Sequence, residues 1–355
     1  MPQSPIKVLL VEDSPVAVEI LQRILKSSPE IIVVGTARNG QEALDLIPKL
    51  EPQVICTDFH MAKMDGLELT RQVMTKYPRP ILVISNSVQA DDPQNIFKLM
   101  QAGAIDIFPK PIGGTNLDYD RIKESLITKI KILAGVKVFT KPLPKITPPK
   151  SEMVQTTEPQ LIKSSSAIKI VAIGASTGGP QALQKVLSPL AKDFPVPIIC
   201  TQHISEGFLQ GLVNWLALEC RLKVKIATEG ELPFPGTVYF APDGYHLELN
   251  SLGKFIYTNS GMVDGHCPSA TVMFKSVVKF YGKATLGILL TGMGKDGAIG
   301  MKAISQAGGI TIAQDEASSV VFGMPKEAIA LGGIQYILPV QEIAPSLLKI
   351  LNCSS

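Results

Sequence analysis

The sequence predicts an α/β protein carrying two parallel-sheet domains on one tether. Strand-like and helix-like segments alternate five times between residues 5 and 134, and three further apolar, β-branched runs in the second half each flow into a loop with a polar residue. A proline- and serine-rich stretch separates the two regions. With 355 residues and 45% hydrophobic side chains, the chain is long enough to bury two cores.

The first domain opens on Ile6-Lys-Val-Leu-Leu-Val11, an apolar strand that ends in Glu12-Asp13. Adjacent carboxylates at the end of a buried strand repel each other unless a hard cation offsets the charge, and Mg²⁺ takes oxygen ligands of this kind. The order then runs strand Ile31–Ala37, helix Asn39–Leu50, strand Val54–Asp58, helix Gly66–Lys76, strand Ile81–Ser85, helix Asn95–Ala102, strand Ile105–Pro109 and a last helix from Tyr119 to Leu133. This is the pattern of a doubly wound (βα)5 sheet, whose strand ends gather Glu12, Asp13, Asp58, Ser85 and Lys110 at one rim. Acids, one hydroxyl and one lysine suit formation of an acyl phosphate: Asp58 attacks, a cation bridges oxygens, and Ser85 and Lys110 take up phosphoryl charge.

That constellation, with Lys110-Pro111 after the fifth strand, resembles the response-regulator receiver domain over residues 5–134. The resemblance implies that Asp58 is the phospho-acceptor, that Asp13, Asp58 and the main chain of Phe59 hold Mg²⁺, and that Glu12, Ser85 and Lys110 support the transfer. Two positions depart from the family pattern. Ala62 stands where proline is usual, which removes a φ restraint from the loop beside Asp58. Ile107 replaces the usual aromatic switch, with Phe108 on the opposite face of the strand.

Residues 135–167 read as a flexible linker, since Phe139 to Ser166 is rich in Pro, Lys, Ser and Thr and cannot bury a core. About 30 such residues span roughly 30 Å, so the first domain can dock on the second or leave it.

The third region, residues 168–355, begins with the strand Ile170–Ile173 and then Gly174-Ala-Ser-Thr-Gly178, followed by a helix over Pro180–Leu187. Glycines around Ser176 fit either a nucleophile elbow, in which a sharp strand-to-helix turn exposes the hydroxyl, or a phosphate-cradling loop. A serine needs a positioned base. His203 ends the strand Val196–His203 and emerges on the same edge; His266, in a loop, is the second choice, and His246 reads as a hairpin residue. The strand Ala284–Thr291 flows into Gly292-Met-Gly-Lys-Asp296-Gly, whose Asp296 would orient the imidazole. The order Ser, His, Asp excludes the common α/β-hydrolase arrangement. The N–H groups of Thr177 and Met293 are candidate oxyanion donors.

Gly174-Ala-Ser-Thr-Gly-Gly-Pro180, Gln202-His203 and Thr291-Gly-Met-Gly-Lys-Asp-Gly-Ala298 together resemble the catalytic domain of the CheB-type chemotaxis protein-glutamate methylesterases. The resemblance implies a three-layer α/β sandwich with a mostly parallel sheet, Ser176 as nucleophile, His203 as general base and Asp296 as orienting carboxylate. It implies hydrolysis of γ-glutamyl methyl esters, and deamidation of glutamines, on the cytoplasmic helices of chemoreceptors. Phosphorylation would come from a chemotaxis sensor histidine kinase, with Mg²⁺ in the receiver and no cofactor for the hydrolysis.

Other classes fit less well. A nucleotide-binding output domain would place an acid about 20 residues after the glycine loop, where the chain has Cys200-Thr-Gln-His203. A DNA-binding output would be basic, yet from Lys169 onward there are 14 Lys and Arg against 13 Asp and Glu. No apolar stretch approaches a membrane span and no secretory leader opens the chain, so no membrane insertion is expected. Five unpaired cysteines, at 56, 200, 220, 267 and 353, point to reduced thiols in a cytoplasm.

Overall fold

The structure, a computed structural model, describes residues 4–85, 93–111, 116–138 and 168–351. The linker expected over 135–167 lies outside the described residues from 139 onward. Its first residues are packed, with Val136 and Val138 set against the neighbouring cores.

The N-terminal domain runs β1 (Ile6–Val11), α1 (Pro15–Lys26), β2 (Ile31–Ala37), α2 (Gly40–Leu50), β3 (Val54–Thr57), α3 (Gly66–Lys76), β4 (Ile81–Ser85), α4 (Pro93–Ala102), β5 (Asp106–Pro109) and α5 (Asn116–Ala134). Its sheet has the order β2-β1-β3-β4-β5, with every pairing parallel. Local chemistry sets the helix starts. The side chains of Ser14, Asn39 and Asp65 accept from N–H groups in the first turns of α1, α2 and α3, and Pro15 sits where its missing N–H costs nothing. All residues of β3 and β4 are buried, as helices on both faces of a parallel sheet require. Strand order reverses between β1 and β3, so a crevice opens beside Glu12, Asp13 and Asp58.

The C-terminal domain runs β6 (Ile170–Ala175), α6 (Gly179–Leu187), β7 (Ile198–Gln202), α7 (Leu209–Glu219), β8 (Lys223–Ile226), β9 (Thr237–Phe240), β10 (His246–Leu249), β11 (Phe255–Thr258), α8 (Ala270–Tyr281), β12 (Thr285–Leu289), α9 (Ala298–Gln306), β13 (Ile310–Gln314), α10 (Met324–Ala330), β14 (Tyr336–Leu338) and α11 (Val340–Ile350). Seven strands form one sheet in the order β14-β13-β12-β6-β7-β9-β8, and all its pairings are parallel. Alternation along β6 divides the core. Val171 and Ile173 pack with α6, α7 and α11, while Ile170 and Ala172 pack with α8, α9 and α10, which gives the three layers expected. The antiparallel hairpin β10/β11 stands outside the sheet and seats Leu247, Leu249 and Phe255 on α8. Here too the strand order reverses, between β12 and β6.

Gly66, the first residue of α3, lies against the main chain that carries Asp58. A Cβ there would overlap the Asp58 carbonyl oxygen and sit 3.1 Å from Phe59 Cα. Gly66→Ala should therefore cost about 1–3 kcal/mol of stability by overpacking rigid backbone. Chemical denaturation checks this, and an unchanged midpoint would mean that the loop yields freely.

Candidate active site

Parallel register brings the three strand ends of the C-terminal domain together. Gly174 pairs with both Leu289 and Thr201, and Ala175 pairs with Gln202, so Ser176, His203 and the loop after β12 leave the sheet at one edge. Ser176 N–H donates to Thr291 O at 3.0 Å and His203 N–H to Ala175 O at 2.9 Å. Gly292 lies against the serine: a Cβ at Gly292 would come within 2.7 Å of Ser176 Cβ. Gly178, at φ 77°, makes the turn into α6 that a residue with a side chain would resist.

Asp296 is 1% exposed and five donors meet its carboxylate. Oδ1 accepts from Ser269 Oγ (2.7 Å), Thr271 N (3.0 Å) and Gly297 N (2.9 Å). Oδ2 accepts from Ala270 N (2.7 Å) and lies 2.8 Å from His203 Nε2. Ser269 is also the N-cap of α8, so the acid sits at the positive end of a helix. Burial alone would raise its pKa. The His203 hydrogen bond and charge, with the Ser269 hydroxyl and the Thr271 N–H, outweigh burial and hold the carboxyl well below its ordinary value.

With Asp296 accepting from Nε2–H, the lone pair of His203 lies on Nδ1, which is buried and has no partner among the described residues. Ser176 is 8% exposed, and its hydroxyl makes no hydrogen bond to a described residue. Thr177 and Met293 flank it. Thr177 is buried and Met293 is 42% exposed, and their main-chain N–H groups are likewise without partners among the described residues. His266 stacks on His203, with ring centroids 3.6 Å apart and planes 7° from parallel. His246 is fully buried and bonds Gly261 O and Ser269 N, away from Ser176.

In the N-terminal domain, carboxylate oxygens of Glu12, Asp13 and Asp58 lie within 4.8 Å of one another. Lys110 Nζ donates to Glu12 Oε1 at 3.0 Å and to Asp58 Oδ2 at 2.7 Å, and Phe59 N donates to Asp58 Oδ1 at 2.7 Å. Desolvation raises the pKa of both Glu12 and Asp58, the neighbouring acids Asp58 and Asp13 respectively add to it, and Lys110 only partly offsets it. Burial lowers the Lys110 pKa, but its two carboxylate partners outweigh this and hold it above the usual lysine value. One ammonium against three carboxylates leaves an oxygen-rich, net negative set, which fits a hard divalent cation. The Phe59 carbonyl already accepts from Gly66 N at 2.9 Å, so one lone pair remains for such an ion. Ser85 ends β4 and is fully buried, and its carbonyl accepts from Lys110 N–H at 2.8 Å. Ile107 is buried in the core at β5, and Ala62 is exposed.

Comparisons with known proteins find relatives of both domains. The CheB methylesterase family model matches residues 171–347 and the response regulator receiver domain model matches residues 8–119. The protein-glutamate methylesterase/protein-glutamine glutaminase 1 of Syntrophus aciditrophicus (strain SB) is 42% identical over 349 residues, covering 97% of this chain and 98% of that protein. The chain belongs to the CheB methylesterase family. A relative named protein-glutamate methylesterase/protein-glutamine glutaminase in Nitrosospira multiformis is 40% identical over 346 residues, with 97% of each chain covered. The crystal structure of the Thermotoga maritima CheB methylesterase catalytic domain covers 52% of this chain and all of that one, at 39% identity and TM-score 0.51.

The receiver domain lies against the methylesterase domain beside Ser176. Thr177 Oγ1 donates to Asp106 Oδ2 of β5 at 3.0 Å, and Lys129 of α5 donates to the same oxygen at 2.6 Å. Gln181 Nε2 donates to Ala104 O at 2.7 Å, and Phe97 of α4 stacks on Trp215 of α7 at 5.5 Å. The sequence reading missed Ser269 and Asp106. An N-cap signal before Ala270–Tyr281 is visible in the sequence, but its meeting with Asp296 is not. Asp106 carries no motif of its own.

Because the Asp296 pKa is depressed in the folded state, its ionised form contributes stability that is complete above the ordinary carboxylate range and is lost as pH falls through the depressed value. Asp296→Asn should therefore lower the melting temperature more at about pH 6 than at about pH 3. Melting curves across that interval check it, and a gap independent of pH would show that the charge contributes nothing to folding.

Proposed function

We propose that the methylesterase domain removes methyl groups from γ-glutamyl methyl esters on chemoreceptor helices, and deamidates receptor glutamines, through Ser176, His203 and Asp296. The observation that carries this is the 2.8 Å contact between His203 Nε2 and the buried Asp296, whose pKa is held low, with His203 Nδ1 left without a partner among the described residues. Ser176 Oγ attacks the ester carbonyl carbon while His203 Nδ1 takes its proton, and Asp296 stabilises the imidazolium. The N–H groups of Thr177 and Met293 receive the oxyanion. Collapse breaks the C–O bond, His203 returns the proton to the leaving methoxide, and methanol departs. Water then repeats the sequence on the acyl-serine and releases glutamate. For an amide the leaving group is ammonia. A nucleotide-binding reading is disfavoured, since Gln202 at the end of β7 turns inward onto Ser176 O and His203 O, each at 2.8 Å, and offers no carboxylate to a ribose.

Asp58 is the proposed phospho-acceptor, supplied by a sensor histidine kinase. Asp13, Asp58 and the Phe59 carbonyl would hold Mg²⁺ with Glu12 beside them, and the ion would neutralise charge during phosphoryl transfer. The unphosphorylated receiver covers the Ser176 rim: Asp106 engages Thr177, the residue next to the nucleophile, and Ser176 is left uncoupled from His203. Phosphorylation repacks the receiver face and releases it.

Ser176→Ala should abolish methanol release, and His203→Ala should lower it by about 10²–10⁴-fold. Asp58→Asn should keep the basal rate but lose stimulation by a small phosphodonor. A fragment starting at Ile168 should exceed the unphosphorylated whole chain. Activity retained without Ser176 would remove the nucleophile assignment, and equal rates for fragment and whole chain would remove the inhibitory role.

A further inference from the structure

His266 is presented to His203 by a built platform. Val263 and His266 exchange both main-chain hydrogen bonds at 3.0 Å across Asp264 and Gly265, whose φ values of 51° and 82° are those of a tight primed turn. The buried His246 pins the loop on either side of that turn: its Nε2 lies 2.7 Å from Gly261 O, and its Nδ1 accepts from Ser269 N at 3.0 Å. Those two bonds fix His246 as the neutral Nε2–H tautomer. The same Ser269 donates to Asp296, so the loop bearing His266 and the acid that orients His203 share one anchor.

The nearly parallel rings of His203 and His266 have consequences for a base that must hold two in-plane bonds at once. In-plane contacts at Nε2 do not stop the His203 ring from tipping about its Cβ–Cγ axis, whereas a second ring on its face does. We propose that His266 is a positioning residue that holds the His203 imidazole in the plane joining Asp296 to Ser176, a role that rests on the Ser176, His203, Asp296 reading above. His266 remains a neutral partner while this happens. Burial, His203 and Lys129 push its pKa down to about 4, against the pull of Asp296. A neutral π face against the forming imidazolium is also attractive, so the stack favours the protonated state that His203 must enter.

The test uses the full chain with Mg²⁺ and acetyl phosphate, methanol release from a γ-glutamyl methyl ester peptide, and the rate of Ser176 labelling by a fluorophosphonate. His266→Ala should lower kcat and the labelling rate by on the order of 10²-fold with KM unchanged. His266→Phe, which restores a flat ring without a nitrogen, should recover most of both, and His266→Leu should not. Should the alanine variant fail to fold, the contrast between Phe and Leu decides the matter. The proposal is overturned if His266→Ala keeps the wild-type kcat, if KM rises while kcat holds, or if Phe is as slow as Leu. Wild-type protein that does not label at Ser176 would instead overturn the triad reading on which the proposal rests.

Discussion

Five donors converge on the Asp296 carboxylate, and the placement of the other groups in the methylesterase site follows from where they hold it. Three of the five come from residues 269–271, the cap and first turn of α8, so the acid cannot be moved without moving a helix. That helix is fixed in turn by the hairpin β10/β11 and by its burial against β6 and α9. Gly297, at φ 87°, lets the chain double back after Asp296 and donate to it. The carboxylate that faces His203 is thus held in place by the fold before any substrate arrives, which in the proposed mechanism keeps reorganisation during proton transfer small.

The receiver site is built on the opposite electrostatic plan. Asp296 has its charge satisfied by neutral dipoles and one imidazole, whereas Glu12 and Asp58 share one lysine and raise each other's cost of ionisation. The same functional group is therefore driven towards ionisation in one domain and away from it in the other. The first arrangement suits a permanent structural anion. The second suits a site that takes up positive charge from outside and changes state when it does.

Much of this was legible in the sequence. Strand ends followed by Ser176, His203 and Asp296 identify one edge of a sheet, because parallel strands deliver their carboxyl ends to the same side. The acids after β1 and β3, with Lys110 after β5, are found by the same rule. Helix bounds at Gly66–Lys76 agree with the structure because Asp65 and the residues after Lys76 mark both ends. What the sequence did not reveal depends on contacts between segments far apart in the chain. Ser269 looks like an ordinary helix cap until Asp296 is beside it, His266 looks like a loop residue until its ring lies on His203, and Asp106 looks like a strand residue until another domain arrives. The all-parallel pairing of the large sheet also exceeds the mostly parallel expectation, since the short strands β8, β9 and β14 carry weak periodicity.

Gln181 makes its contacts with the receiver through the main-chain carbonyls of Met100 and Ala104, at 3.4 and 2.7 Å, and not through side chains. The Met100 carbonyl, in the last turn of α4, accepts from Gly103 N at 3.2 Å as well, and the Ala104 carbonyl lies just beyond the helix end. The amide of Gln181 therefore gauges the shape of the backbone where α4 ends. Met100 and Ala104 are themselves buried in the core, so a substitution at either position reaches Gln181 by displacing the chain that carries these carbonyls.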